Sequence, residues 1–255
     1  MRDNIEESMY IGGRNSVREA LAADQVKEIF LRKGGDRQLL KLKEAAEEKG
    51  IPVSIADTRQ MEKYIPHLVS QGVMALIKPY QYQVLDEVLL ASKGKDPFLI
   101  LLDGIQDVRN LGAVIRTAEC SGAAAVLIPR NRNCQVTPAA VKASAGASSY
   151  MPVCRIGNIR QTLEDLKKKG FWVVGADMDG SGLYYEANMK GSLVIVIGAE
   201  GKGMSPLTKK MCDFCVRIPM MGQISSLNLS VAAALLLYEA RKQRAGENDA
   251  PSLSD

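Results

Sequence analysis

The chain has 255 residues, 33 Lys and Arg against 29 Asp and Glu, a formal net charge of +4, and a hydrophobic share of 46%. That is enough chain for one large or two modest domains with a sizeable core, and the composition is that of an ordinary globular protein. No apolar run approaches the roughly 20 residues that cross a bilayer, and residues 1–8 are too polar and acidic for a signal peptide, so a cytoplasmic protein is expected.

Met9 to Pro79 alternate helix and strand signals. Ser16 and Glu19 match a capping box for a helix through Ala23, and Val26 to Leu31 reads as a strand. Asp36 caps a second helix that ends at Lys49 and Gly50. Ile51 to Ile55 is a strand, Asp57 caps a third helix, and Val73 to Ile77 is a last strand. This is a small α/β domain. Residues 81–97, which include a helix from Val84 to Ala91, read as a linker.

From Phe98 to Arg244 the pattern is a second domain. Apolar strands are expected at Phe98–Leu102, Ala124–Ile128, Val153–Ile156, Phe171–Ala176, Leu193–Ile197 and Phe214–Ile218. Helices are expected at Asn110–Ser121, Pro138–Ser148, Asn158–Lys169 and Ser205–Met211, with a final one from Leu229 that carries no charge as far as Tyr238. Apolar strands joined by helices argue a mostly parallel sheet covered on both faces. The final helix is expected to be buried over most of its surface. Residues 245–255 are polar and read as a disordered tail.

Several residue types speak against particular chemistries. The single histidine, His67, lies far from the apolar second domain, which leaves a Ser-His-Asp triad without support. The five cysteines are an odd number, and Cys120, Cys134 and Cys154 lie in or beside apolar segments, where a reduced thiol packs as a small hydrophobe. Cys212 and Cys215 have C-x-x-C spacing but no second pair and no nearby histidine, so core packing is expected and no metal site. Between Glu119 and Glu164 the charges are Arg130, Arg132, Lys142, Arg155 and Arg160, with no acidic residue. Such a one-signed segment suits a phosphate backbone; the plainer reading is a solvated basic face.

Three loops, each following a predicted strand and opening a helix, are expected on one edge of the sheet. In the first, Asn110 can cap the helix and Gly112 admits a close neighbour to its first turn. Arg116 is the one charge among Leu111, Ala113, Val114, Ile115 and Ala118, so a half-buried guanidinium in need of a carboxylate or phosphate is expected. Glu119, one turn on, offers an ordinary surface pair as the plainer account. The second loop, from Gly198 to Pro206, is glycine-rich without the spacing of a P-loop or a dinucleotide fingerprint, and Glu200 stands at the strand end. In the third, Pro219 stops the strand, Gly222 allows a turn, and Ser225, Ser226 and Asn228 offer N-caps to the last helix. Apolar walls such as Ile218, Met220 and Leu227 suit a flat heterocycle held at a helix N-terminus, adenine being one candidate.

These loops, in this order, resemble the three motifs of the SpoU (TrmH) family of RNA ribose 2′-O-methyltransferases. Residues 110–118 (NLGAVIRTA) are similar to the first motif, 197–204 (IGAEGKGM) to the second and 218–234 (IPMMGQISSLNLSVAAA) to the third. Residues 12–21 (GGRNSVREAL) are similar to the start of the ribosomal-protein-like RNA-binding domain of the 23S rRNA guanosine members. The resemblance implies an S-adenosylmethionine cofactor, a C-terminal parallel-sheet SPOUT domain with a deep trefoil knot, a homodimer, and an RNA-binding domain at residues 1–80. Carried over by position, it gives Asn110, Arg116, Glu200, Ser226 and Asn228 as active-site residues, and Gly198, Ile218 and Leu227 as cofactor contacts. The implied substrate is a guanosine in the peptidyl-transferase region of 23S rRNA, with a tRNA nucleotide as the alternative. A nucleotide-dependent oxidoreductase is weakened by the missing fingerprint, and a non-catalytic RNA-binding module by the presence of Arg116, Glu200 and Asn228.

Overall fold

A computed structural model describes residues 9–22, 24–34, 36–64, 71–78, 80–131, 133–224 and 226–245. The expectations for His67, Arg132, Ser225 and the tail after residue 245 fall outside the described residues. Contacts divide the chain into two compact units. One comprises Met1–Gln81, Asp107–Arg116 and Gln135–Met151; the other comprises Tyr82–Gln106, Thr117–Cys134 and Pro152–Asp255.

The first unit holds a sheet of β1 (Met9–Gly12), β2 (Val26–Leu31), β3 (Val53–Ile55) and β4 (Val73–Ile77), with α1 (Arg14–Ala22), α2 (Arg37–Glu48) and α3 (Thr58–Tyr64). The strand order is β1-β4-β2-β3, antiparallel except for β2 with β3. Asp36 caps α2 by accepting from the backbone N–H of Gln38 and Leu39. Asp57 and Gln60 form a reciprocal capping box at α3, with bonds of 2.7 and 2.9 Å. The box expected at Ser16 does not form. Gly13, at φ +105°, turns the chain straight from β1 into α1, so Ser16 is already inside the helix and buried.

The same unit takes in the start of α5 (Val108–Ser121) and α6 (Pro138–Ala143). Gly112 is their contact point: a Cβ there would stand 2.4 Å from the carbonyl oxygen of Ala140 and 2.5 Å from Cβ of Ala143. The close neighbour expected at Gly112 is therefore a helix backbone. The helix expected over residues 138–148 breaks after α6, where Ala145 and Gly146 take φ of 51° and 96°, and the chain resumes as a 3-10 turn, Ala147–Ser149. A Cβ on Gly146 would lie 2.2 Å from Cγ of Glu19, and Tyr150 donates its hydroxyl to Glu19 Oε2 at 3.2 Å. Glu19, expected as a capping residue, is instead the seat of that turn.

The second unit is built on a seven-stranded sheet of β5 (Phe98–Asp103), β6 (Ala125–Pro129), β7 (Val153–Ile156), β8 (Trp172–Ala176), β9 (Gly182–Leu183), β10 (Leu193–Gly198) and β11 (Phe214–Arg217). Its order is β7-β6-β5-β10-β8-β11-β9 and every pair is parallel. The central β10 is buried along its whole length, which is why it reads in sequence as one apolar run. The helices of this unit are α4 (Leu85–Ala91), α7 (Ile159–Lys168), α8 (Pro206–Met211) and α9 (Leu229–Arg244). Along α9, Leu229, Ala233, Leu236, Leu237 and Ala240 are buried, whereas Val231 and Tyr238 are 48% and 51% exposed. That helix is thus less buried within one chain than its composition suggests.

Candidate active site

Because the strands are parallel, the C-terminal ends of β5, β8, β10 and β11 share one edge of the sheet, where open α/β folds bind ligands. The loop after β10 is closed by a two-way backbone bridge between Ala199 and Gly203, at 3.0 and 2.8 Å, with Gly201 and Gly203 at φ of 75° and 65°. A Cβ on Gly198 would stand 2.0 Å from the carbonyl carbon of Gly203, so no other residue fits there. Asp103, at the end of β5, accepts from the backbone N–H of Ser205 at 3.0 Å and ties the exit of this loop to the neighbouring strand. Ser205 in turn caps α8.

The loop after β8 is held as firmly. The backbone N–H of Asp177 donates to Val216 O at 3.0 Å, and a Cβ on Gly180 would meet the carbonyl carbon of Val216 at 2.5 Å. Asp177 Oδ1 accepts from the N–H of Asp179 and from Lys209 Nζ, both at 2.9 Å. That hydrogen bond holds the Lys209 ammonium above its ordinary pKa. After β11 the third loop runs to α9, capped by Asn228, whose Oδ1 accepts from Ser230 N at 2.9 Å and Ser230 Oγ at 2.6 Å.

These three loops enclose a cavity of about 340 Å³. Its apolar wall comes from Ile197, Val216, Ile218, Leu227 and Leu229, and its polar rim from Asp177, Asp179, Glu200 and Lys202. Of the residues expected from sequence, Gly198, Glu200, Ile218, Ser226 and Leu227 line it together. Asn228 is not in the lining and acts as the helix cap directly behind Leu227. Asn110 and Arg116 belong to the other unit. Asp177 and Asp179 escaped the sequence reading; the signal was an acidic pair before a glycine at the end of a predicted strand.

Two expectations about α5 are corrected. Asp107, not Asn110, sits at its start, accepting from Arg109 N at 2.8 Å, and Asn110 is a buried residue inside the helix. Arg116 is exposed where a half-buried guanidinium was expected, and among the described residues it makes no ion pair, with Glu119 or otherwise. The buried stripe of α5 is Leu111, Val114, Ile115 and Ala118, the i, i+3, i+4, i+7 face, which Arg116 does not share.

In the basic segment, Arg130 and Arg155 are exposed, Arg155 lies 5.0 Å from the centre of the Tyr82 ring, and Arg160 pairs with Glu164 at 2.8 Å. Cys212 is half-buried beside Cys215, and burial pushes its thiol up to about 12. Among the described residues no group of three or more His, Cys, Asp or Glu could hold a metal ion, and no helix is long and apolar enough to cross a membrane.

A parallel α/β domain with a glycine-walled cavity at the C-terminal strand edge defines a ligand-binding domain of the open-sheet class. The chain belongs to the SpoU (TrmH) family of RNA methyltransferases: the SpoU rRNA Methylase family model matches residues 97–238, and the model for RNA 2′-O ribose methyltransferase substrate binding matches residues 10–83. A candidate TrmH family tRNA/rRNA methyltransferase of Staphylococcus haemolyticus is 39% identical over 244 residues, covering 93% of this chain and 97% of its own. An AdoMet-bound rRNA methyltransferase from Sinorhizobium meliloti shares the fold with a TM-score of 0.78 at 21% identity, covering 94% of this chain and 88% of that one. The TrmH/SpoU tRNA modifying enzyme of A. aeolicus covers 62% of this chain and 79% of its own, with a TM-score of 0.54 at 27% identity.

Proposed function

We propose that the chain methylates a ribose 2′-hydroxyl in RNA with S-adenosylmethionine as the methyl donor, and that the cavity at the ends of β8, β10 and β11 is the cofactor site. The observation that carries this reading is Gly198: it lines the cavity at the end of β10, in such close contact with Gly203 that no Cβ fits, so the strand end meets a ligand with backbone and no side chain. The donor set suits the cofactor, with an apolar slot for a purine bounded by Ile218 and Leu227 and an acidic rim for hydroxyl and ammonium donors. When bound, the cofactor supplies an electrophilic methyl group on a sulfonium. Glu200 and Ser226, at the rim, position the incoming ribose, and Asn228 fixes the loop that carries Ser226 and Leu227. Asn110 acts from the start of α5 as a further active-site residue.

Arg116 stabilises the alkoxide that develops as the hydroxyl loses its proton. A guanidinium has only donors and no acceptor to offer, so it is no base, and an RNA phosphate oxygen takes the proton. Its exposure and its lack of an ion pair among the described residues support a guanidinium kept for substrate.

The substrate in this reading is a guanosine in the peptidyl-transferase region of 23S rRNA, bound through residues 1–80, with residues 81–97 as linker and 98–244 as the methyltransferase domain. Supporting this, the neighbour named for rRNA spans nearly the whole chain, whereas the tRNA modifying neighbour covers little beyond the second domain's length. The match of a substrate-binding model to residues 10–83 supports the part of this reading that has the first domain hold the RNA. The reading includes a cytoplasmic homodimer, supported by the apolar Val231 and Tyr238 on one side of α9. It also includes a trefoil knot, supported by the place of β10 between β5 and β8, both of which precede it in the chain. Mapping 2′-O-methyl groups in RNA from cells with and without the gene tests the substrate. A methyl missing from 23S rRNA is expected, and one missing from tRNA with intact 23S rRNA would overturn the choice of RNA while leaving the chemistry.

A further inference from the structure

We infer that Asp177 holds the ribose hydroxyls of the cofactor and so sets the cavity's preference for a ribonucleoside; this rests on the reading of the cavity as an S-adenosylmethionine site. Asp177 follows the last residue of β8 and lines the cavity with a side chain only 14% exposed. Its two carboxylate oxygens differ. Oδ1 is occupied by the N–H of Asp179 and by Lys209 Nζ, while Oδ2 takes no hydrogen bond from any described residue. The other carboxylates of the rim, Asp179 and Glu200, are exposed, where solvent screens their charge. Asp177, with its side chain only 14% exposed and one oxygen already engaged, is different: a donor that reaches Oδ2 from the cavity gains a charge-assisted hydrogen bond.

The surroundings select among the donors that such a cofactor carries. Lys209 already neutralises Asp177, so a second cation, the α-ammonium of the amino-acid part, would meet an ammonium at the same carboxylate. The exocyclic amine of adenine stands beside the ring nitrogen N1, whose lone pair repels an anion. Neutral vicinal hydroxyls have neither penalty, and one carboxylate oxygen with two lone pairs accommodates them. The same logic places an acidic residue on the ribose at strand ends of dinucleotide folds. Here the tight loop holds the carboxylate in place, through the Asp177 N–H bond to Val216 and the close packing of Gly180.

Titration calorimetry on the full chain tests this with three probes: S-adenosylhomocysteine, its 2′,3′-dideoxy analogue, and 5′-methylthioadenosine, which keeps the ribose and lacks the amino acid. The unaltered protein should bind the dideoxy analogue ~10-fold or more weakly than S-adenosylhomocysteine. Asp177→Ala should lose a similar factor for both ribose-bearing probes and show no preference between S-adenosylhomocysteine and its dideoxy analogue. Equal affinity of the unaltered protein for those two ligands overturns the assignment, whatever the variant does. So does an Asp177→Ala protein that keeps the unaltered preference. Loss of affinity for S-adenosylhomocysteine alone, with 5′-methylthioadenosine unaffected, would place Asp177 on the amino-acid part and equally overturn it. An unaltered protein that binds none of the three refutes the cofactor reading itself, a result distinct from the others.

Discussion

Gly198 and Gly203 are in backbone contact, close enough that a methyl group on the first would overlap the carbonyl carbon of the second at 2.0 Å. Neither partner can give way cheaply, because Gly203 is bridged to Ala199 and Ser205 just beyond is tied to Asp103. Gly198→Ala should therefore push the loop into the cavity, cost about 1–3 kcal/mol of stability by overpacking, and weaken S-adenosylmethionine binding at least ~10-fold. Calorimetry and a denaturant melt read the two effects separately. Unchanged affinity would remove this loop from the cofactor site.

Arg116→Ala should behave in the opposite way. The side chain is exposed and makes no ion pair among the described residues, so stability should shift by no more than about 0.5 kcal/mol. Incorporation of tritiated methyl into RNA should fall by ~100-fold or more, the scale of losing one donor to a developing oxyanion, with cofactor affinity intact. Near-normal turnover would remove Arg116 from the chemistry.

Asn228→Ala removes the cap of α9, whose Oδ1 holds both the N–H and the hydroxyl of Ser230. A loss of about 1 kcal/mol in stability is expected from the cap. Because Ser226 and Leu227 immediately precede it and line the cavity, cofactor affinity should fall as well. A stability loss with unchanged affinity would confine Asn228 to the fold.

The thiols give a pH-dependent prediction. Burial pushes Cys212 to about 12 and Cys154 to about 11, whereas Cys120 is exposed. A raised pKa means the neutral thiol persists as pH rises, so at pH 8 Cys212 stays almost wholly un-ionised and thiolate, the nucleophilic form, is scarce. Iodoacetamide at pH 8 should label Cys120 first, and Cys212 and Cys154 only on unfolding. Mass spectrometry of the native protein showing rapid Cys212 labelling would contradict the packing described.

The sheet of the second unit was legible because a parallel strand covered on both faces must be apolar at every position, as Leu193 to Ile197 are. Helix starts were less so. Asp107 and Asn110 are both good caps, and only the backbone decides between them. The burial of Arg116 was misjudged from its chain neighbours, yet on a helix adjacent residues face different ways and the buried stripe passes it by. Ser16 failed as a cap because Gly13 opened the helix earlier. The break in the 138–148 helix was hidden for a related reason: alanine and serine are acceptable in a helix, and the left-handed pair at Ala145 and Gly146 answers to Glu19, over a hundred positions away. Asp177 lay just past the last residue of a correctly placed strand, where periodicity has nothing further to say.

The seat of Gly146 on Glu19 bears on how such a chain can be cut and rejoined. Residues 107–116 and 135–151 are packed with the first sheet, although they are encoded on the far side of the 81–97 stretch. A recombination or a protease cut in that stretch would divide the sequence without dividing the body to which those segments belong. Two pieces made there should therefore copurify when coexpressed, and a first domain grafted from a relative would need to bring its own match for the 3-10 turn. The inheritable module is a surface with its counterpart, not a run of consecutive residues.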